Sequence, residues 1–390
     1  MAEIERTVEI PLGPDEVVMK EGLVSIVMPR SGVGKKRGPS HQSPVFFNPA
    51  MQLARDVLVS VFPALQDRFR KRVLDGLAGT GIRGLRIAKE CPGLWKEITI
   101  NDRHPWAHSA IQRNIAINGV DPACVRATMC NVNSLVHEED FTYIDLDPYG
   151  NAIPFIDAAL QSSTKSVIAV TTTDTSALSG SSSDALLRRY GARGGDSHFK
   201  HEAGLRTLIA HVVRQAARYD KAATPLLSHA TDYYMRTYLQ IWDGAKRAHD
   251  NLMNIGYVTV HEDGRIESIP TVDGLEHLPT KKSNYWGPLW LGPIHDASLL
   301  ERISVPAHTD NAKNLTKLFD TFRSEASLMP MFYDLDEMAR LHMPNAPKLE
   351  RLLENIRSRG YKASRAHVSP KGFKTDMPYG ELVDLWKLKR

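Results

Sequence analysis

The segment VLDGLAGTGIRG, Val73 to Gly84, constrains the fold of this chain more than any other. An apolar run reaches an acid, Asp75, then passes through closely spaced glycines into a stretch whose apolar residues recur with helical spacing. A strand that hands over to a helix through glycines is the opening unit of a doubly wound α/β sheet, in which ligands bind at the carboxyl ends of the strands. The alternation continues downstream. Strands are predicted at Val73–Leu77, Ile98–Asn101, Val125–Met129, Phe141–Leu146 and Ser166–Thr171, with helices near Ile82–Glu90, Trp106–Asn118 and Ala152–Gln161. This succession predicts a mostly parallel, Rossmann-like sheet.

At 390 residues the chain exceeds one ordinary core, which predicts two domains. The boundary is placed at the loop Gly264–Pro279, after the hairpin-like HEDGRIES. Residues 1–275 then form the α/β domain with an amino-terminal extension, and 276–390 a smaller, mainly helical α+β domain. In the latter, helices are expected at Asn311–Ser324, Asp336–His342 and Pro347–Arg359. The stretch Ser179–Asp196, rich in Ser, Gly and Arg, reads as a linker or as a long loop within a domain. No apolar run approaches the length of a membrane span, and MAEIERTVEI lacks the core of a signal peptide. Cys91, Cys124 and Cys130 form neither a disulfide framework nor a CxxC pair. A cytoplasmic protein is therefore expected, and a monomer.

The glycine loop has two chemical readings. Gly79, Gly81 and Gly84 satisfy GxGxxG, and Asp102 follows about 20 residues on, as a nicotinamide dehydrogenase requires. S-adenosylmethionine enzymes use the same architecture, with Asp75 ending the first strand and Asp102 the second. A pyrophosphate needs bare backbone N–H groups, whereas an amino-acid moiety needs carboxylate acceptors and cationic donors. Arg83 inside the loop, with Asp75 ahead of it, suits the amino acid.

The stretch YIDLDPYGN, Tyr143 to Asn151, separates the two readings. An exocyclic amine on a planar base is a weak nucleophile, because its lone pair is delocalised into the ring. Acceptors for its N–H groups localise that pair. Asp147 and the carbonyl of Pro148 can both accept, and Pro148 carries no competing donor. Tyr149 can stack on a base flipped from its helix. A strand end with a simple Pro-Gly turn is the structural alternative. Following a glycine loop at the right strand spacing, the motif points to methyl transfer onto an amino group of a base.

PVFFNPAMQLARD (Pro44 to Asp56), LDGLAGTGIRGLR, NDRH, IDLDPYGN, TTTDTSALSG, LRRYGAR, HEAGLRTL and YWGPLWLGPIHD occur in this order across nearly the whole chain. Together they resemble the tRNA guanine-26 N2-dimethyltransferase family. The resemblance implies a class I methyltransferase domain, S-adenosylmethionine as cofactor and tRNA as substrate. It implies that Phe46 and Tyr149 sandwich the target guanine beside Asp147 and Pro148. It also implies that Arg55, Asp75, Gly79 and Arg83 bind the cofactor, with Asp102 at the ribose and Asn131 and Val132 at the adenine. Tyr149 stands where the family usually has phenylalanine, and Asn131 where it often has an acid. Many members carry a cysteine-rich zinc element before the GP segment; KKSNYWGPLW has no cysteine, so no metal is expected.

The net charge of +4 is mild, but it is distributed in local clusters. Lys35, Lys36 and Arg37 in GKKRG, and Lys371 and Lys374 in SPKGFK, are the candidate phosphate contacts. HFKHE, His198 to Glu202, resembles a metal pair only superficially, and its reading is structural.

Overall fold

The chain is described here from a computed structural model covering residues 12–32, 47–231, 233–271, 285–342 and 347–387. Strands β1 (Glu16–Glu21) and β2 (Val24–Pro29) form an antiparallel hairpin. Then come β3 (Arg72–Asp75), β4 (Glu97–Asn101), β5 (Val125–Thr128), β6 (Tyr143–Leu146), β7 (Lys165–Thr172), β8 (Lys221–Ala230) and β9 (Met235–Asp243). These seven make one sheet of order β5-β4-β3-β6-β7-β9-β8. It is parallel through β5, β4, β3 and β6, and antiparallel from β7 to β9 and β8. The doubly wound fold expected from the sequence is the one observed. Its central strands are apolar along their length because helices cover both faces of a parallel sheet: Val73, Leu74, Ile98, Ile100, Tyr143, Ile144 and Leu146 are all buried.

Two compact units divide the chain. The first comprises residues 1–147 with 303–315, the second residues 148–302 with 316–390. The boundary read at 275/276 thus falls within the second unit.

The first unit holds β1 to β6 and the helices Gln52–Ala64, Ile82–Glu90, Pro105–Ile117 and Val132–Glu138. A buried ionic cluster centres on Arg86 of the helix after the glycine loop. Arg86 donates to Glu21 at 2.9 Å, Asp56 at 2.7 Å and Glu90 at 2.7 Å. His308, from the returning segment 303–315, reaches Glu90 at 2.8 Å, and Gln52 reaches Asp310 at 3.1 Å.

The second unit is built around the helix Lys200–Ala217, thirteen of whose eighteen residues are buried. Besides β7 to β9 it contains β10 (Ile255–Val260), β11 (Ile266–Pro270) and β12 (Tyr285–Trp290), in the order β11-β10-β12. The last sheet, β13 (Tyr333–Asp334), β14 (Ala363–Arg365) and β15 (Gly372–Thr375), has the order β13-β15-β14. The expected carboxyl-terminal helices occur at Ala312–Glu325, Leu335–Leu341 and Leu349–Ser358. The presumed linker Ser179–Asp196 contains the helix Ser183–Tyr190, closed by Gly191 in the left-handed region.

Lys374 requires a correction. It lies on β15, 1% exposed, and donates to the buried Glu202 at 2.6 Å. Burial opposes ionisation of Glu202, but Lys374 and Arg206 outweigh it and hold the carboxyl below its ordinary value. An ammonium committed to a buried carboxylate cannot grip a phosphate. His198 likewise serves the fold, with its ring nitrogen 3.0 Å from the carbonyl of Phe332.

Candidate active site

The glycine loop is shaped by two acids at neighbouring strand ends. Asp75 closes β3, is buried, and accepts the backbone N–H of Gly84 at 2.9 Å. Gly84 must be bare, because a Cβ there would come within 2.7 Å of Ile100 on β4. Gly79 sits at φ +57°, a conformation glycine adopts without strain, and donates its N–H to Asp102 Oδ2 at 2.9 Å. The other carboxylate oxygen of Asp102 accepts from the backbone of His104 at 2.9 Å. Each oxygen keeps a second lone-pair direction, so Asp102 can still accept from a pair of hydroxyls.

Asn101, which the sequence reading passed over, ties three strand ends together. Its amide nitrogen donates to the carbonyls of Gly76 at 3.0 Å and Cys130 at 3.2 Å, and its oxygen accepts from Thr128 at 2.9 Å and Cys130 N at 3.0 Å. An amide offers both donors and acceptors, which a carboxylate could not. Only the pairing of β4 with β5 reveals this role. Next in the chain, Asn131 accepts the N–H of Asn133 at 3.0 Å and caps the helix Val132–Glu138, while Val132 is buried.

Asp75 and Asp145 are partners in the β3–β6 register, and both are buried. Tyr143 donates its hydroxyl to Asp145 at 3.0 Å. Burial, then the neighbouring charge of Asp145, pushes the Asp75 carboxyl up to about 7, with the Gly84 N–H and Arg83 opposing. Through the Gly84 N–H, Asp75 braces the loop from beneath.

Two residues past Asp145 the strand delivers Asp147, whose side chain is 20% exposed. Arg83, buried at 4%, donates Nε to Asp147 Oδ2 at 2.6 Å, and its Nη2 approaches the same oxygen. The two sequence motifs thus meet here: the loop arginine holds the motif carboxylate and leaves Oδ1 for another donor. The chain continues through Pro148 to Tyr149, which is 62% exposed. Gly150, at φ +86°, turns the loop back. Its carbonyl accepts from Thr173 N at 2.8 Å and Thr172 Oγ1 at 3.1 Å, and its N–H reaches Thr173 Oγ1 at 2.9 Å.

Arg55 is placed differently from the sequence expectation. It is buried, gives Nε and Nη2 to Glu21 at 2.7 and 2.5 Å, and lies 4.8 Å over the ring of Phe47. These contacts make it an anchor for the amino-terminal hairpin. Phe46, Lys35, Lys36 and Arg37 lie outside the described residues. Lys371 is exposed and paired with Asp336 at 2.5 Å. Among the described residues, His295, Glu325 and His367 are the one group with three donors close enough for a metal. Both imidazoles address the same Glu325 Oε1, His295 from 3.1 Å, so hydrogen bonds hold this cluster.

A doubly wound sheet whose first strand runs through a glycine loop into a helix, with an acid at the second strand end, is the architecture of enzymes that bind a nucleoside cofactor. The profile of the N2,N2-dimethylguanosine tRNA methyltransferase family matches residues 28–387. The chain is 36% identical over 389 residues to the tRNA (guanine(26)-N(2))-dimethyltransferase of Thermococcus kodakarensis, spanning 95% of this chain and 99% of that one. It is 34% identical over 373 residues to the enzyme of the same description from Methanosarcina mazei, spanning 88% and 92%. Its structure is similar to that of Trm1 from Pyrococcus horikoshii in complex with S-adenosyl-L-methionine. There the TM-score is 0.82 at 30% identity, covering 95% of this chain and 99% of that one. The chain belongs to the N2,N2-dimethylguanosine tRNA methyltransferase family. No helix among its described residues is long and apolar enough to cross a membrane.

Proposed function

We propose that this chain transfers methyl groups from S-adenosylmethionine to the exocyclic N2 of guanine 26 in tRNA. The observation that carries the reading is Asp147, which directly follows β6, is held by Arg83 through Oδ2, and precedes Pro148 and the exposed ring of Tyr149. S-adenosylmethionine supplies an electrophilic methyl group when bound. Asp102 would accept from its ribose hydroxyls, Gly79 lets the backbone approach, and Asn131 and Val132 border its adenine. Asp147 Oδ1 and the Pro148 carbonyl accept the two N–H bonds of the guanine amine, which localises the nitrogen lone pair toward the methyl carbon. As the N–C bond forms, the methyl–sulfur bond would break with its electron pair staying on sulfur, leaving S-adenosylhomocysteine, while the acidified amine passes its proton to Asp147. Tyr149 stacks on one face of the extruded base, with Phe46 on the other.

Residues 276–390 would supply tRNA contacts, with Lys35, Lys36, Arg37 and Lys371 as phosphate partners and Lys374 withdrawn from that set. All three cysteines are free, which fits a reducing cytoplasm. The test is nucleoside mass spectrometry of unmodified tRNA incubated with protein and cofactor. Methylated guanosine at position 26, absent when that guanosine is replaced by adenosine, is expected. Methylation elsewhere, or none, refutes the assignment.

A further inference from the structure

We propose that Tyr233, at the tip of the β8–β9 hairpin, is a second RNA-contacting ring that stacks on a tRNA base bared when the target guanosine leaves its stack. This rests on the tRNA reading above. Tyr233 is 55% exposed, with Tyr149 the most exposed of the large hydrophobic side chains described in the second unit. The next residue, Tyr234, is fully buried, packs edge-on to His229 at 5.5 Å and has its hydroxyl 3.4 Å from the His229 ring. The tip is braced further by Thr231, whose N–H donates to the Tyr234 carbonyl at 2.9 Å and whose hydroxyl accepts the Tyr233 N–H at 3.2 Å. Burying Tyr234 therefore fixes the backbone from which Tyr233 points outward. A tyrosine ring with its own N–H bonded and a buried neighbour loses little freedom when it binds.

The register places this ring at the working end of the sheet. Met235, the first residue of β9, pairs with Thr172, the last of β7. Thr172 and its neighbour Thr173 hold Gly150, the residue after Tyr149. The Tyr149 turn and the Tyr233 tip therefore flank the same end of β7, inside one compact unit. Extruding a base exposes the faces of the bases beside it, and an aromatic side chain can cover one of them without reading its identity. A ring bound to water on a soluble protein's hairpin tip gains most from such a partner, because stacking removes apolar area on both sides.

The experiment measures tRNA methylation kinetics, S-adenosylhomocysteine affinity and melting temperature for wild type, Tyr233→Ala and Tyr233→Phe. A stacking contact is worth about fivefold to a hundredfold in binding. Tyr233→Ala should therefore raise KM for tRNA by about tenfold with kcat within about twofold, and Tyr233→Phe should restore KM. The melting temperature and S-adenosylhomocysteine affinity of both should match wild type. A tRNA carrying 2-aminopurine beside the target should be quenched by wild type and Tyr233→Phe but not by Tyr233→Ala. An unchanged KM, a Phe variant as impaired as Ala, a loss traced to weaker S-adenosylhomocysteine binding or folding, or equal fluorescence with all three proteins would each overturn the proposal. Absence of methylation by the wild type would instead refute the function on which it rests.

Discussion

The strand ends of the first unit and those of the second are finished in opposite ways. At the ends of β3 and β4, Asp75 and Asp102 already accept backbone N–H groups from Gly84, Gly79 and His104, and Asn101 stitches the neighbouring loops. In the second unit the turn after Pro148 and the β8–β9 tip present Tyr149 and Tyr233 to solvent. A small cofactor offers few groups, so its cradle must be rigid before it arrives. A large folded RNA brings its own stacking surfaces and phosphates, so the protein can leave that side bare. The two lysines of SPKGFK differ in the same way: Lys374 is buried against Glu202 and belongs to the fold, whereas Lys371 is exposed and paired with Asp336.

The sharpest way to break this contrast is Asp147→Asn, which keeps the shape and removes the charged acceptor. A loss of about 10²-fold or more in methyl transfer is expected. S-adenosylhomocysteine affinity, read by calorimetry, should stay within a few-fold of wild type; near-normal turnover would remove Asp147 from the mechanism.

The two lysines of one short segment should separate cleanly. Lys374→Met leaves Glu202 buried without its ammonium partner, and a loss of about 3 kcal/mol in unfolding free energy is expected from denaturant titration. Lys371→Met should change stability by no more than about 0.5 kcal/mol and lower the salt slope of tRNA binding by about one. Equal stability of the two variants would contradict the placement of Lys374.

Acid should act on the second unit through His211. Burial, then Arg214, pushes its imidazole from 6.5 down to about 4. The folded protein thus binds fewer protons than the unfolded chain between those values. Its contribution to stability is complete above about pH 6.5 and is lost as pH falls toward 4, by up to about 3 kcal/mol. His211→Gln should flatten melting temperature against pH in that window, and an unaltered curve would show that His211 is not the group concerned.

A moderate effect is expected at the end of β4. On the proposed reading, Asp102→Ala removes an acceptor for the ribose as well as the partner of the Gly79 N–H, which should weaken S-adenosylhomocysteine by about 2 kcal/mol, near thirtyfold. Binding of NADH in place of the adenosyl ligand would restore the dehydrogenase alternative.

What the sequence disclosed depended on distance along the chain. The glycine loop, the acid at each strand end and the three carboxyl-terminal helices are local patterns, and each occurs within a few residues of its expected place. The partners of Lys374 and Arg55 are not local. Glu202 lies 172 residues from Lys374, and Glu21 lies 34 from Arg55, so a basic loop and a cofactor arginine were the natural readings of residues that neutralise buried acids. SPKGFK reads as a solvated turn because its glycine and proline hide the β15 strand, whose four residues are all buried. Tyr233 went unremarked because two successive tyrosines give no sign of which one points inward until Tyr234 finds His229.

The return of residues 303–315 to the first unit has a consequence for how the protein is made. During translation β1 to β6 leave the ribosome early, yet Glu90 and Gln52 wait for His308 and Asp310, more than half the chain later. The nascent amino-terminal part is therefore an unfinished body for much of synthesis, and no single cut of the chain releases it whole. A gene truncated after residue 302 would encode all seven strands of the large sheet and still lack the segment that returns to the first unit.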